Sequence, residues 1–337
     1  MKTSGMITKT AKRIVKNALL IGMAGAVFSA PVLAEYPERP ISLVIAYGPG
    51  GATDISARAL AQVLSSEVPK PIMVVNRTGA GGVTGSASVA HAEGDGYTML
   101  AARVGTHTVS PAMKENLPYS LSDFKFVGIY EINPVVCAAS KESGINSMEE
   151  LIAAVKSKPG TISYSSSGVG TILHISGAMV LNAFGIENPL EDTIHLPMRG
   201  GRGAATALLT GTATFTCTNS STLAGFIKNN QMVPLLVTSK ERLPGIDAPT
   251  VAELGHPELE QLVGWTGIAG PKSLSKEAQD AWSGWLTTAT SNPEFVNKMA
   301  ALGSIIVNYG PEESEAFINK QYQTFRVLVD KLNMRVN

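Results

Sequence analysis

Four segments of the chain combine glycines with short polar residues in a spacing that bares the main chain: Tyr47-Gly-Pro-Gly-Gly-Ala-Thr-Asp54, Gly79-Ala-Gly-Gly-Val-Thr84, Ser165-Ser-Ser-Gly-Val-Gly-Thr171 and Arg199-Gly-Gly-Arg-Gly203. Each follows an apolar run and opens a helical pattern. The chemistry this suits is anion capture. Glycine lets a ligand reach the backbone, and the unpaired N–H groups and positive dipole end of a helix start attract negative charge. Any one such turn can be explained without a ligand, as a tight strand-to-helix connection. Asp54, for example, reads as the N-cap of the helix that follows it. Four together point to a crevice, because the carboxyl ends of strands in open α/β sheets line the ligand site.

Other chemistries find no pattern. No Gly-x-x-x-x-Gly-Lys-Ser/Thr run exists, and Gly79-Ala-Gly-Gly-Val-Thr-Gly85 misses Gly-x-Gly-x-x-Gly by one position. No Gly-x-Ser-x-Gly elbow is present. His91, His107, His174, His195 and His256 lack metal-site spacing, so no metal and no cofactor is expected. His107 and His174 are candidate cleft residues, with ordinary hydrogen-bonded histidines as the alternative. Of the aromatic residues, Tyr47 alone lies in one of the four turns, which argues against a sugar site with flat aromatic walls. Cys137 and Cys217 each sit in an apolar strand-like run. Buried unpaired thiols are preferred there over a disulfide, whose geometry the sequence does not reveal.

The elements that must hold these turns alternate. Strand patterns fall at 41–46, 71–75, 97–101, 134–139, 161–164, 193–197, 213–217 and 234–238. Helical spacing separates several of them, first in Ile55, Ala59, Leu60, Val63 and Leu64. This predicts α/β layering around mostly parallel sheets. So many strands make two lobes a better expectation than one wide sheet. No flexible linker divides the chain, so crossover strands are placed near Asn133–Val136 and Leu259–Trp265. The lobes are then 35–134 with 260–337, and 135–259, with a helical tail from Ser275 returning to the first.

Lys2, Lys9, Lys12, Arg13 and Lys16 precede the apolar run Ala18–Phe28 and the ending Val32-Leu33-Ala34. This predicts a signal peptide at 1–34, cleaved after Ala34, rather than a membrane anchor, because a run of 11 residues interrupted by Gly22 and Gly25 falls short of the roughly 20 needed to span a bilayer. Removing the five basic residues leaves 22 against 27 acidic ones, a net charge of −5, which is no footprint for nucleic acid.

A family resemblance covers nearly all of the remaining chain. It is carried by Tyr36-Pro-Glu-Arg-Pro-Ile41, Gly48-Pro-Gly-Gly-Ala-Thr-Asp54 with Ala57-Arg58, Asn76-Arg-Thr-Gly-Ala-Gly-Gly82 and Asp95-Gly-Tyr-Thr98. It continues in Gly105-Thr-His107, Leu117-Pro-Tyr119, Tyr164-Ser-Ser-Ser-Gly168 with His174, Val237-Thr-Ser239 with Arg242, and Pro249-Thr-Val-Ala-Glu253. In this the chain resembles the receptors of tripartite tricarboxylate transporters, also called Bug proteins. The resemblance implies a type II periplasmic binding protein fold, two doubly wound lobes joined by crossover strands with the ligand cleft between them. It also implies that main-chain N–H groups hold a carboxylate. On this chain the matching positions are Tyr47, Gly50, Gly51, Thr53, Asp54, Ala80, Gly81 and Gly82. Ser166, Ser167, Gly168, Thr171 and His174 match from the other lobe, and Thr106 and His107 fall in a further match. The chain departs from the family at Arg103, at Pro197-Met198-Arg199-Gly200 and at Thr216-Cys-Thr-Asn-Ser220. Arg103, Met198, Arg199 and Asn219 therefore join the candidate ligand contacts, the arginines for a second carboxylate, with exposed arginines that touch no ligand as the preferred alternative.

The function expected is a periplasmic, monomeric receptor that passes a small organic carboxylate to integral membrane permease subunits, not an enzyme. The alternatives are a ligand sensor for a signalling partner and a lyase or hydrolase. The last would use Asp54 and His174 as an acid/base pair.

Overall fold

The computed structural model describes residues 36–335, so the export signal expected at 1–34 lies outside the described residues. The elements run β1 (Ile41–Ile45), α1 (Ala52–Val63), β2 (Ile72–Asn76), α2 (Val83–Ala90), β3 (Thr98–Arg103), β4 (Phe124–Ser140), α3 (Met148–Ser157), β5 (Ile162–Ser166) and α4 (Ile172–Ala183). There follow β6 (Thr193–Pro197), α5 (Gly200–Leu209), β7 (Phe215–Asn219), α6 (Ser220–Lys228), β8 (Met232–Val237) and β9 (Val263–Pro271). The chain closes with α7 (Lys276–Ser291), α8 (Pro293–Ala301), β10 (Ile305–Tyr309) and α9 (Pro311–Lys331).

The 17-residue β4 explains the architecture, because it belongs to two sheets. Residues 124–134 pair with β9, and β10 flanks them on the other side, in a sheet ordered β2-β1-β3-β9-β4-β10. Residues 135–140 pair with β7 and β8, in a sheet ordered β8-β4-β7-β5-β6. The exchange of partners falls at Pro134, which has no N–H to give to a ladder. There Thr238 clips the returning chain: its hydroxyl accepts from the Val135 N–H at 2.8 Å and donates to the Leu262 carbonyl at 2.8 Å.

Both faces of the first sheet are covered, so β1 and β3 read as largely apolar runs, whereas β5 and β7 alternate apolar residues with buried hydroxyls. In the first sheet Ile41, Leu43 and Ile45 pack with Leu60, Trp282 and Phe295 on one side. Val44 and Leu100 pack on the other side in the cluster that holds Trp265 and Phe325.

Several expectations are corrected. The sheets are mixed, not mostly parallel: β1/β2, β1/β3, β5/β6 and β5/β7 are parallel, while every pairing of β4 and β9 is antiparallel. The tail from Ser275 is not wholly helical, because β10 interrupts it and pairs with Ile129–Ile132. Cys137 and Cys217 are not free thiols. The β4/β7 register sets them directly opposite each other, 4.0 Å apart at Cα, and they form a disulfide. Among the described residues no helix is long and apolar enough to cross a membrane.

Candidate functional site

The first two glycine turns sit at one edge of the first sheet. Ile45 is in register with Asn76 of β2 and Ala101 of β3, so the carboxyl ends of three parallel strands lie level. In the first turn the N-cap of α1 is Gly51, not Asp54, which occupies the first helical turn. Its carboxylate reaches back to the Gly50 N–H at 2.9 Å, accepts from Asn76 at 2.9 Å and pairs with Arg58 at 2.9 Å. Burial pushes this carboxyl up, but the hydrogen bonds from Arg58, Gly50 and Asn76 outweigh it and hold it at about 2. Asp54 thus clamps the turn. The N–H groups of Gly51, Ala52 and Thr53 have no protein acceptor among the described residues, as expected at a helix start.

The second turn is a run of positive φ: Gly79 +141°, Ala80 +47°, Gly81 +70° and Gly82 +100°. Such a run excludes ordinary side chains at little cost only because glycine supplies three of the four positions. Ala80 and Gly81 are exposed, and their N–H groups also lack a protein acceptor among the described residues. Tyr47 forms the floor between the turns: a Cβ on Gly82 would meet Thr106 Cγ2 at 2.7 Å and Tyr47 Cζ at 3.1 Å, and one on Gly105 would meet Tyr47 Oη at 2.7 Å. Arg103, at the end of β3, donates from Nη1 to Thr266 Oγ1 at 3.1 Å.

His107 is not brought to this edge. Its ring is wholly buried among Tyr119, Phe124, Phe126 and Trp265, with Nδ1 on Thr106 Oγ1 at 2.8 Å. Burial lowers it to about 4, although the Arg103 carbonyl pulls the other way. It packs as a core histidine, and Thr106 supports the turn from below.

The other two turns share an edge of the second sheet. The parallel β5/β6 register aligns Ser166 with Pro197. Met198 N–H then donates to the Ser166 carbonyl at 2.9 Å and Gly200 N–H to the Ser167 carbonyl at 3.3 Å, which joins the third turn to the fourth. Thr171 is the N-cap of α4, and its hydroxyl receives Ser167 at 2.9 Å. His174 Nδ1 accepts the Gly170 N–H at 3.3 Å, which assigns the proton of the neutral ring to Nε2. Met198 lines this wall half-buried, and Arg199 is exposed.

Sequence reasoning missed His195. It stacks on His174 with ring centroids 4.0 Å apart and meets Ser166 Oγ through Nε2 at 2.6 Å. Burial lowers both rings to about 4, and for His174 the neighbouring His195 adds to the effect. That His195 lies in a strand was legible, but its neighbours, Tyr164 in register on β5 and His174 on α4, were not. Also missed was Glu131, a buried carboxylate that accepts from Ser56 at 2.5 Å, Asn133 at 2.6 Å and Ser304 at 2.7 Å. Asn219, the N-cap of α6, lies beside Gly264 near Asn133. Three buried side-chain oxygens in this region, Asn133 Oδ1, Thr218 Oγ1 and Asn219 Oδ1, have no hydrogen-bond partner among the described residues.

A groove of about 1220 Å³ between Lys114–Phe126 and α9 contains none of the turns. Its arginines are already paired, Arg335 with Glu115 at 2.6 Å and Arg326 with Asp330 at 3.2 Å.

Two edges of glycine turns thus lie on two sheets that share the strand β4. The model of the tripartite tricarboxylate transporter family receptor matches residues 56–334. The chain belongs to this family. Protein BugT of Bordetella pertussis is 29% identical over 313 residues, 92% of this chain and 94% of that protein. The solved structure of the periplasmic binding protein BugD is similar with a TM-score of 0.75 and 29% identity, covering 89% of this chain and 99% of that one. The structure of the R. palustris protein Rpa4515 with adipate shares the fold, with a TM-score of 0.77 and 22% identity over 89% of this chain and 99% of that one. The two-lobed periplasmic receptor fold expected from the sequence is therefore the fold of this family. Its members are binding receptors rather than enzymes.

Proposed function

We propose that this chain is an exported periplasmic receptor that captures a small organic carboxylate and presents it, as a monomer, to the integral membrane permease of a tripartite transporter. The observation that carries this reading is the set of N–H groups without protein acceptors, on Gly51, Ala52 and Thr53 in one turn and Ala80 and Gly81 in the next. A carboxylate there would accept from both helix starts at once. The lobes in this reading are 35–134 with 260–337, and 135–259. Closure about β4 and β9 brings Ser166, Ser167, Gly168, Thr171 and His174 onto the ligand from the second lobe.

Binding without chemistry is the reading because Asp54 is no free acid or base: Arg58, Asn76 and the Gly50 N–H already occupy its carboxylate. The test is a thermal-shift and calorimetric screen of the mature protein against aliphatic monocarboxylates, dicarboxylates, tricarboxylates, aromatic acids and amino acids. A ligand at 100 times its Kd should stabilise by about 2.7 kcal/mol. If no carboxylate shifts the transition, the reading is wrong. Mass spectrometry of the exported protein checks the processing site, expected after Ala34.

A further inference from the structure

We propose that Arg103 is the specificity-determining residue of this receptor, a guanidinium held open at the end of β3 to grip the second carboxylate of a short dicarboxylate. The proposal rests on the reading that the glycine turns hold the first carboxylate.

Three observations lead to it. First, Arg103 has no partner of opposite charge: no carboxylate of the described residues lies within salt-bridge distance of it. Among the described residues its side chain makes one hydrogen bond, from Nη1 to Thr266 Oγ1. Nε and Nη2 therefore have no protein acceptor among the described residues, although a guanidinium carries five donors in a fork that fits a carboxylate. The residue is half-buried, where an uncompensated charge is costly and an anionic ligand would relieve it.

Second, the acids that would ordinarily neutralise it are engaged elsewhere. Arg103, Thr266 and Glu131 occupy one row across β3, β9 and β4. The Glu131 carboxylate is nevertheless taken by Ser56, Asn133 and Ser304. Asp54, the acid of the first turn, is taken by Arg58. The site thus leaves Arg103, half-buried, without a charged partner while the carboxylates beside it are satisfied within the protein; Arg77, the other unpaired cation of this edge, is exposed and donates to Ser88.

Third, the position suits a second charge on the same ligand. Arg103 stands two residues beyond Ala101, and Tyr47 two residues beyond its register partner Ile45, so the two lie level on neighbouring strands. Strands are spaced about 4.8 Å apart, so Arg103 is one strand from the first turn and about 10 Å, two strands, from the second. With the reach of its own side chain, that spacing matches the ends of a short aliphatic dicarboxylate better than those of a monocarboxylate. Thr266, buried on β9, holds the fork in place and acts as its positioning residue. Arg199, by contrast, is exposed on the fourth turn and is not held.

The test is calorimetry of the mature wild-type protein and the variants Arg103→Met, Arg103→Lys and Arg199→Ala, with adipate and hexanoate as equal-length probes and circular dichroism to check folding. Arg103→Met should weaken adipate by about ten- to a hundredfold and leave hexanoate within about threefold. Arg103→Lys should recover part of the loss, and Arg199→Ala should change the adipate-to-hexanoate ratio less than either. Equal loss of both probes, or no loss of adipate, overturns the role of Arg103 while leaving the receptor reading intact. A wild-type protein that binds neither these nor any other carboxylate overturns both.

Discussion

Ser220 Oγ donates to the Gly303 carbonyl at 2.7 Å, tying the start of α6 on the second sheet to the loop that leads into β10 on the first. A Cβ on Gly303 would lie 2.9 Å from the Ser221 N and Cα atoms, and its φ of +73° already disfavours any other residue. Gly303→Ala should therefore cost about 1–2 kcal/mol in backbone strain and break this inter-sheet contact. Ser220→Ala should cost about 1 kcal/mol. Denaturant titration reads the cost, and small-angle scattering should show a larger radius of gyration for the ligand-free Gly303 variant.

Backbone capture of the anion makes Gly81 the most informative of the glycines in the turns. A side chain at Gly81 would meet nothing within 4 Å, so Gly81→Val pays for its φ of +70° rather than for a collision in the core. The variant should fold and yet lose carboxylate binding below detection by calorimetry. Gly82→Ala differs, because its Cβ is driven into Thr106 and Tyr47. It should lower the melting temperature as well as affinity.

The Cys137–Cys217 disulfide closes a sequence separation of 80 residues. The variant Cys137→Ser/Cys217→Ser should be less stable by about 2–5 kcal/mol in denaturant titrations. Both positions lie within the β4/β7 ladder rather than in a turn, so affinity should stay within about twofold.

The stacked His174–His195 pair predicts acid sensitivity. Both rings are held near 4 in the fold, while free histidine titrates near 6.5. The unfolded chain then takes up protons first, so stability is full above about pH 7, falls through 6.5 and levels off below 4. The slope is at most about 1.4 kcal/mol per pH unit for each ring, less for the partly exposed His195. His107 acts in the same sense. Calorimetric melting between about pH 7 and pH 4 should show a shallower fall in His174→Gln/His195→Gln than in wild type.

The glycine turns, and with them most of the candidate site, were determined by the sequence alone. Their chemistry is local: glycine at the end of an apolar run permits the backbone that bares N–H groups, whatever surrounds it. The α/β rhythm was legible for the same reason, since strands buried on both faces read as short apolar runs. What the tertiary structure decided depends on register between distant segments. The 17-residue β4 reads as one late strand because the alternation of its first half is broken by Val127-Gly128-Ile129, and only its change of partners at Pro134 shows that it serves two sheets. Antiparallel β9 and edge strand β10 were hidden because nothing local distinguishes their partners from those of a parallel strand. Register also joined Cys137 to Cys217, set His195 beside Tyr164, and aligned Arg103 with Thr266 while three hydroxyl and amide groups claimed Glu131. His107 shows the converse: its motif pointed to the crevice, but packing turned the ring into the aromatic core, where burial determines its charge. Local chemistry is written in residue types, whereas which charges remain unpaired is a property of the packed whole.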